Sequence, residues 1–275
     1  MTELTAGAYT PPWRIAAALL VAVSRASLPV LLALVVLAND PPIGLAVLVQ
    51  LLALFAVLPA VAAHLIARRC AARVELAGAD LVLRRPDLVV EVPHSAIARV
   101  APWILPLPGA GLTVWMRSGR RLRYAIQVDD PAPLLGALTG HAAPPHASVA
   151  YAHAAAGSSR WRWYHYAGKF VLFALVPTAV FFNAHQHIAY GGPLGEYHLL
   201  GLAAYLQTFV LYWITLSIYL VLFASAWRGA AEAAALAAAW AAPSQAARVR
   251  RIAEVGCRVL YYAGVPALVA LRFLA

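Results

Sequence analysis

Three histidines and a glutamate share one short stretch, HQHIAYGGPLGEYH. His185, His187, Glu196 and His198 are all side-chain types that bind zinc or copper. On an extended segment His185 and His187 would project to the same side, because strand side chains repeat every two residues. His198 would then be the third ligand. The stretch holds no HExxH pair and no second acidic cluster, so interfacial polarity is the competing reading. The sequence implies no cofactor.

Arg25 is a second candidate, lying inside the apolar run IAAALLVAVSRASLPVLLALVVLA. A charge at the bilayer centre costs about 2.5–3.5 kcal/mol, so intramembrane cations are functional candidates by default. If the embedded part begins near Leu19, Arg25 lies roughly 9 Å below the boundary. A guanidinium can snorkel over most of that distance. Gln50, Gln207, Thr208 and Ser217 are strongly polar residues deep in the second and fourth apolar runs; they can join helices by hydrogen bonds. Glu254 and Arg258, at i and i+4, form a local pair.

The third candidate is SSRWRWYHYAGKF, in which Trp161, Arg162, Trp163, Tyr166 and Lys169 interleave rings with cations. This composition suits single-stranded nucleic acid. Its position directly before a long apolar run selects the headgroup region of a membrane instead, where such rings concentrate and cations meet anionic lipids. No nucleic-acid partner is therefore expected. In a helix, Arg162, Tyr166 and Lys169 form one stripe that could hold lipid phosphates.

The elements that must carry these residues follow from composition. The chain has 275 residues, 63% hydrophobic and 12% charged, with a mean hydropathy of +0.74. Ordinary soluble domains are about 45–50% apolar and about 25% charged. Long apolar runs start at Ile15, Ile43, Phe170 and Leu199, and a shorter one occupies the last residues. A polytopic membrane protein with about five transmembrane helices is expected. Asn39-Asp40-Pro41-Pro42 should turn the first pair into a hairpin. Cys70 and Cys257 are far apart, and no disulfide or metal spacing is present. All of the 21 basic residues except Lys169 are arginine. Counted at the ends of the runs, they gather on the side of residues 72–139, leaving only Arg272 opposite. This predicts an inner-membrane protein with a cytoplasmic N-terminus and an external C-terminus.

Between Ala72 and Thr139 the texture becomes that of strands: short alternating pieces divided by AGAD, RPD and SGR turns. DPAPLLGAL then reads as a short helix, with Leu134, Leu135 and Leu138 sealing one end of a small barrel. The predicted organisation is residues 1–70 for an N-terminal segment and two spans, and 71–140 for the β-domain. Residues 141–167 follow as linker and interfacial anchor, and 168–275 as three further spans with an alanine-rich helix around 230–242.

The stretches VELAGADLVLRRPDLVVEVPHSAIARV, GLTVWMRSGRRLRYAIQ and DPAPLLGAL, placed after a helical hairpin, resemble the bacterial pleckstrin-homology-like membrane proteins. The resemblance covers about residues 72–140 and the preceding hairpin. It implies a half-open barrel capped by a helix, used for assembly or docking, with no enzymatic activity. Eight arginines against six acids across the domain give no dense basic pocket, so headgroup specificity is not carried over. The function expected is a non-catalytic scaffold or accessory subunit that docks a protein partner or forms a homo-oligomer beside anionic headgroups. The rival expectations are a membrane enzyme or metal-handling protein using the external-loop histidines, and a small transporter using Arg25 and the intramembrane polar residues.

Overall fold

The computed structural model describes residues 2–37, 43–77, 80–139, 146–157 and 163–274. The Asn39–Pro42 turn and the residues Trp161 and Arg162 lie outside them. Among the described residues, four helices are long and apolar enough to cross a membrane: α1 (Pro11–Leu37), α2 (Leu45–Arg69), α5 (Trp163–Tyr190) and α6 (Gly195–Ala241). Between α2 and α5 lie α3 (Ala132–Thr139) and α4 (Ala147–Ala156). The expected fifth span is instead two helices, α7 (Ala246–Tyr262) and α8 (Gly264–Leu274), of 17 and 11 residues. The break falls at Ala263, where Pro266 has no N–H to offer the Tyr262 carbonyl four residues back.

The chain forms two compact units. The first joins residues 1–27, 49–158 and 230–253 around a seven-stranded antiparallel sheet ordered β4-β3-β2-β1-β7-β6-β5. The strands are β1 (Thr2–Tyr9), β2 (Ala71–Ala77), β3 (Asp80–Arg85), β4 (Leu88–Pro93), β5 (Ile97–Pro102), β6 (Gly111–Met116) and β7 (Ala125–Val128). A single 3-10 turn, His94–Ala96, links β4 to β5, yet these two strands lie at opposite edges. The sheet must therefore curl into a half-barrel. Its core holds Ala8, Val74, Leu81, Leu83, Leu112, Val114 and Ile126, closed by Leu134 and Leu135 of α3.

β1, expected within an N-terminal segment outside the β-domain, is the central strand of the sheet. It pairs with β2 from Thr2↔Leu76 to Gly7↔Ala71 and with β7 from Ala6↔Val128 to Tyr9↔Ala125. Part of the expected linker is the helix α4, where Ser148 N–H is capped by the His146 ring. Tyr151 of α4 donates to Glu232, which also accepts from Arg250 at 2.7 Å, so the end of α6 and the start of α7 are held to this unit.

The second unit comprises residues 28–48, 159–229 and 254–275. Ala174, Leu220, Ala224, Tyr261 and Val265 form its core, with Phe170, Phe173, Trp213 and Phe223 packed around them. The helix α6 is kinked at Gly201, whose φ of 86° is open to glycine at no steric cost.

Prolines shape two of the apolar helices in the same way. Pro59 of α2 and Pro177 of α5 lack an N–H and crowd the carbonyl four residues back. A π turn precedes each, at Ala53–Val57 and Gly168–Leu172. Near Pro177 the Phe173 carbonyl is taken by Val176 N–H at 3.2 Å. Side chains serve carbonyls inside the wide turns: Ser24 donates to Ala56, Tyr261 to Lys169 and Trp213 to Val171. A backbone group freed in so apolar a segment needs a partner, and these side chains supply it.

Candidate functional site

Within the first unit, a cavity of about 260 Å³ opens where the helical hairpin meets the half-barrel. From α1 come Val21, Ser24 and Arg25, which share a face at i, i+3 and i+4. From α2 comes His64, flanked by Ala60 and Ala67 one turn away on either side. The half-barrel contributes Tyr9 at the end of β1, Gln127 of β7 and Pro108. No carboxylate is among the lining residues.

The local fold keeps these groups where they are. β1 runs into α1 across Thr10 alone, and α2 runs into β2 across Cys70 alone. Ala8 N–H donates to Cys70 carbonyl at 2.7 Å, and Tyr9, Ala17 and Cys70 pack together. Two glycines make room for the polar side chains. A Cβ at Gly7 would stand 2.6 Å from the Tyr9 ring, and one at Gly109 would overlap the Gln127 amide. Tyr9 is 2% exposed. Burial, with a smaller effect from Cys70, pushes its hydroxyl up to about 12. The Gln127 Oε1 atom is buried without a hydrogen-bond partner, an arrangement that costs about 1–3 kcal/mol if it stays unmet.

Arg25, singled out from sequence as an intramembrane charge, thus faces a cavity shared with the half-barrel. Tyr9, His64 and Gln127 were missed. His64 carried a signal, as a ring base inside an otherwise apolar run on the face of α2 that includes two small residues; Gln127 carried none.

The histidines of the first candidate are arranged differently from the expectation. The helix α5 continues to Tyr190, so His185 and His187 stand on a helix, about 200° apart, and not on one side of an extended segment. His185 packs against Tyr190 and Tyr212, while His187 bonds the Asn183 carbonyl of its own helix at 2.8 Å. His198 is exposed on α6. Among the described residues no three His, Cys, Asp or Glu side chains come together as a metal site. Glu196 is instead committed to holding the α5–α6 connection. It is 3% exposed, accepts from Gln186 Nε2 at 2.5 Å and Thr208 Oγ1 at 2.6 Å, and its own N–H donates to Gln186 Oε1.

Of the proposed anchor, Trp163 and Tyr166 are exposed on the first turns of α5. Lys169 lies in the π turn with its ammonium 4.2 Å from the centre of the Tyr261 ring, a cation–π contact. Arg162, the first residue of the expected stripe, lies outside the described residues. Among known proteins, no family model, no curated protein and no solved structure matches this chain.

Proposed function

We propose that the chain is a non-catalytic inner-membrane protein, a scaffold or accessory subunit whose half-barrel docks a partner protein or a second copy of itself at the cytoplasmic surface. The observation that carries this reading is the pair of short joints between spans and strands. β1 leads into α1 and β2 follows α2, each across one residue, and the two strands are paired. A half-barrel attached at its two central strands cannot swing on a tether. Any partner bound to it is therefore held at a fixed height and angle relative to the hairpin.

The sheet also ends in two unpaired strands, β4 and β5. On β4, Leu88 and Val89 are exposed beside Glu91 and Pro93. An open edge of this kind takes an added strand, with main-chain hydrogen bonds supplying affinity. The clustering of arginines on the half-barrel side supports a cytoplasmic location for it, and Trp163 and Tyr166 suit a headgroup-level anchor.

Site-directed cross-linking tests the proposal. With Val89→Cys in native membranes, a bifunctional thiol reagent is expected to give one discrete adduct, either a homodimer or a single heterologous product. Gentle detergent extraction should preserve the same assembly. A monomer that yields no adduct and brings down no partner overturns the reading.

A further inference from the structure

We propose that the cavity between α1, α2 and the half-barrel is a binding site for a phosphate-bearing anion, with Arg25 and His64 as its charged and hydrogen-bonding ligands. The site is independent of whether β4 docks a partner. Four observations converge on it.

The first is electrostatic. Arg25 is a permanent cation with a planar fork of donors suited to phosphate oxygens. No hydrogen bond or ion pair joins it to any described residue, and no acid lines the cavity to neutralise it. His64, on the facing helix, is likewise without a hydrogen-bond partner among the described residues. An anion placed between them meets donors from two helices.

The second concerns the neutral groups. The Gln127 side chain borders the cavity with its Oε1 buried and unserved. Tyr9 borders it too, and burial holds the proton on its hydroxyl past the ordinary range. A hydroxyl that stays protonated is a donor to an oxyanion.

The third is steric. Gly7 and Gly109 leave space for the Tyr9 ring and the Gln127 amide. A cavity of about 260 Å³ is below the usual range of about 300–1,000 Å³ for drug-sized ligands. It suits a single phosphate with a small substituent.

The fourth is position. Arg25 and Ser24 stand on an apolar helix long enough to span a membrane, while Gln127 and Pro108 belong to the half-barrel. A cationic cavity at that junction has two sources of ligand: the phosphodiester headgroup of a phospholipid, and free phosphate or a small phosphate ester.

Native mass spectrometry of the full chain, released from detergent, tests both. The expected result is a retained phospholipid at one per chain, reduced at least tenfold in Arg25→Gln and in His64→Ala. Arg25→Lys should keep part of it. Isothermal titration with inorganic phosphate is the second arm. Saturable binding lost in Arg25→Gln assigns the site to free phosphate or a small phosphate ester, and retention of lipid with no response to phosphate assigns it to a headgroup. Thermal unfolding and circular dichroism of each variant separate loss of ligand from loss of fold. If Arg25→Gln proves unfolded, Gly109→Leu, which fills the space beside Gln127 and keeps both cations, takes its place with the same expectation. The proposal is overturned if folded variants retain as much phospholipid as the parent and lose no phosphate binding, or if the parent carries no phospholipid and gives no saturable phosphate signal.

Discussion

Tyr9 shows how one side chain can belong to three structures at once. It ends β1, packs against Ala17 of α1 and Cys70 after α2, and borders the Arg25 cavity. Its burial makes the phenolate unfavourable in the folded chain, and this fixes a sign. The folded value, about 12, lies above the unfolded value of about 10. The contribution to stability is therefore complete below pH of about 10 and lost as pH rises toward about 12, amounting to up to about 2–3 kcal/mol. Tyr9→Phe should remove this component, so its alkaline unfolding profile, followed by circular dichroism, should lie at higher pH than that of the parent. Coincident profiles would place the alkaline sensitivity elsewhere. Residues of this kind were only half legible. Arg25 announced itself by its charge in an apolar run, whereas Tyr9 looked like an ordinary residue before Pro11 because nothing local reveals what a strand's end will pack against.

At the scale of elements, what read clearly was whatever repeats. The apolar runs marked α1, α2, α5 and α6, and alternation marked β2, β3, β4 and β6, because burial on one face imposes a period that survives in the sequence. The strand β1 obeys the same rule: Leu4 and Ala6 pack against the sheet's core and Ala8 lies within it, while Glu3, Thr5 and Gly7 alternate with them. It was missed because its small residues make a weak signal and its partners lie more than sixty residues away, from Ala71 and from Ala125 onward. The π turns were illegible for another reason. A proline in an apolar helix predicts some irregularity, but whether it becomes a kink or a wide turn depends on donors such as Ser24 and Trp213 reaching in from other helices. The placement of β1 predicts a large effect. Deleting Thr2–Tyr9 should leave β2 and β7 as two open edges, lose the Ala8 and Tyr9 packing, and cost more than about 4 kcal/mol. Limited proteolysis should then cut within residues 71–139, which the parent protects, and a separately supplied peptide TELTAGAY should restore part of the protection. Equal resistance with and without the strand would show that the half-barrel closes without it.

At the scale of the whole molecule, the last stretch of chain decides how many times the protein crosses. The sequence reading takes residues from about 244 onward as a fifth span, but Ala263-Gly264 divides that stretch into α7 and α8, neither long enough to cross alone. Arg250 pairs with Glu232 beside Tyr151 in the unit that contains the half-barrel. From Glu254 the chain belongs to the other unit, where Tyr261 and Val265 are core residues among Phe170, Phe173 and Phe223. About twenty helical residues remain from there to Leu274, roughly 30 Å of rise and close to the thickness of a hydrocarbon layer. The Tyr262–Gly264 break would then lie within the bilayer, where neighbouring helices can satisfy the freed groups. A periplasm-active reporter fused after Ala275 should therefore be active, and a cytoplasm-active reporter at the same place silent, with the pattern reversed for insertions at Gly119 in the turn between β6 and Arg121. The opposite result at Ala275 would mean that α7 and α8 lie along the half-barrel side of the membrane and that only the four long helices cross. The same pair of fusions at Gly119 would still report on the half-barrel's side, so the orientation and the number of crossings are decided separately.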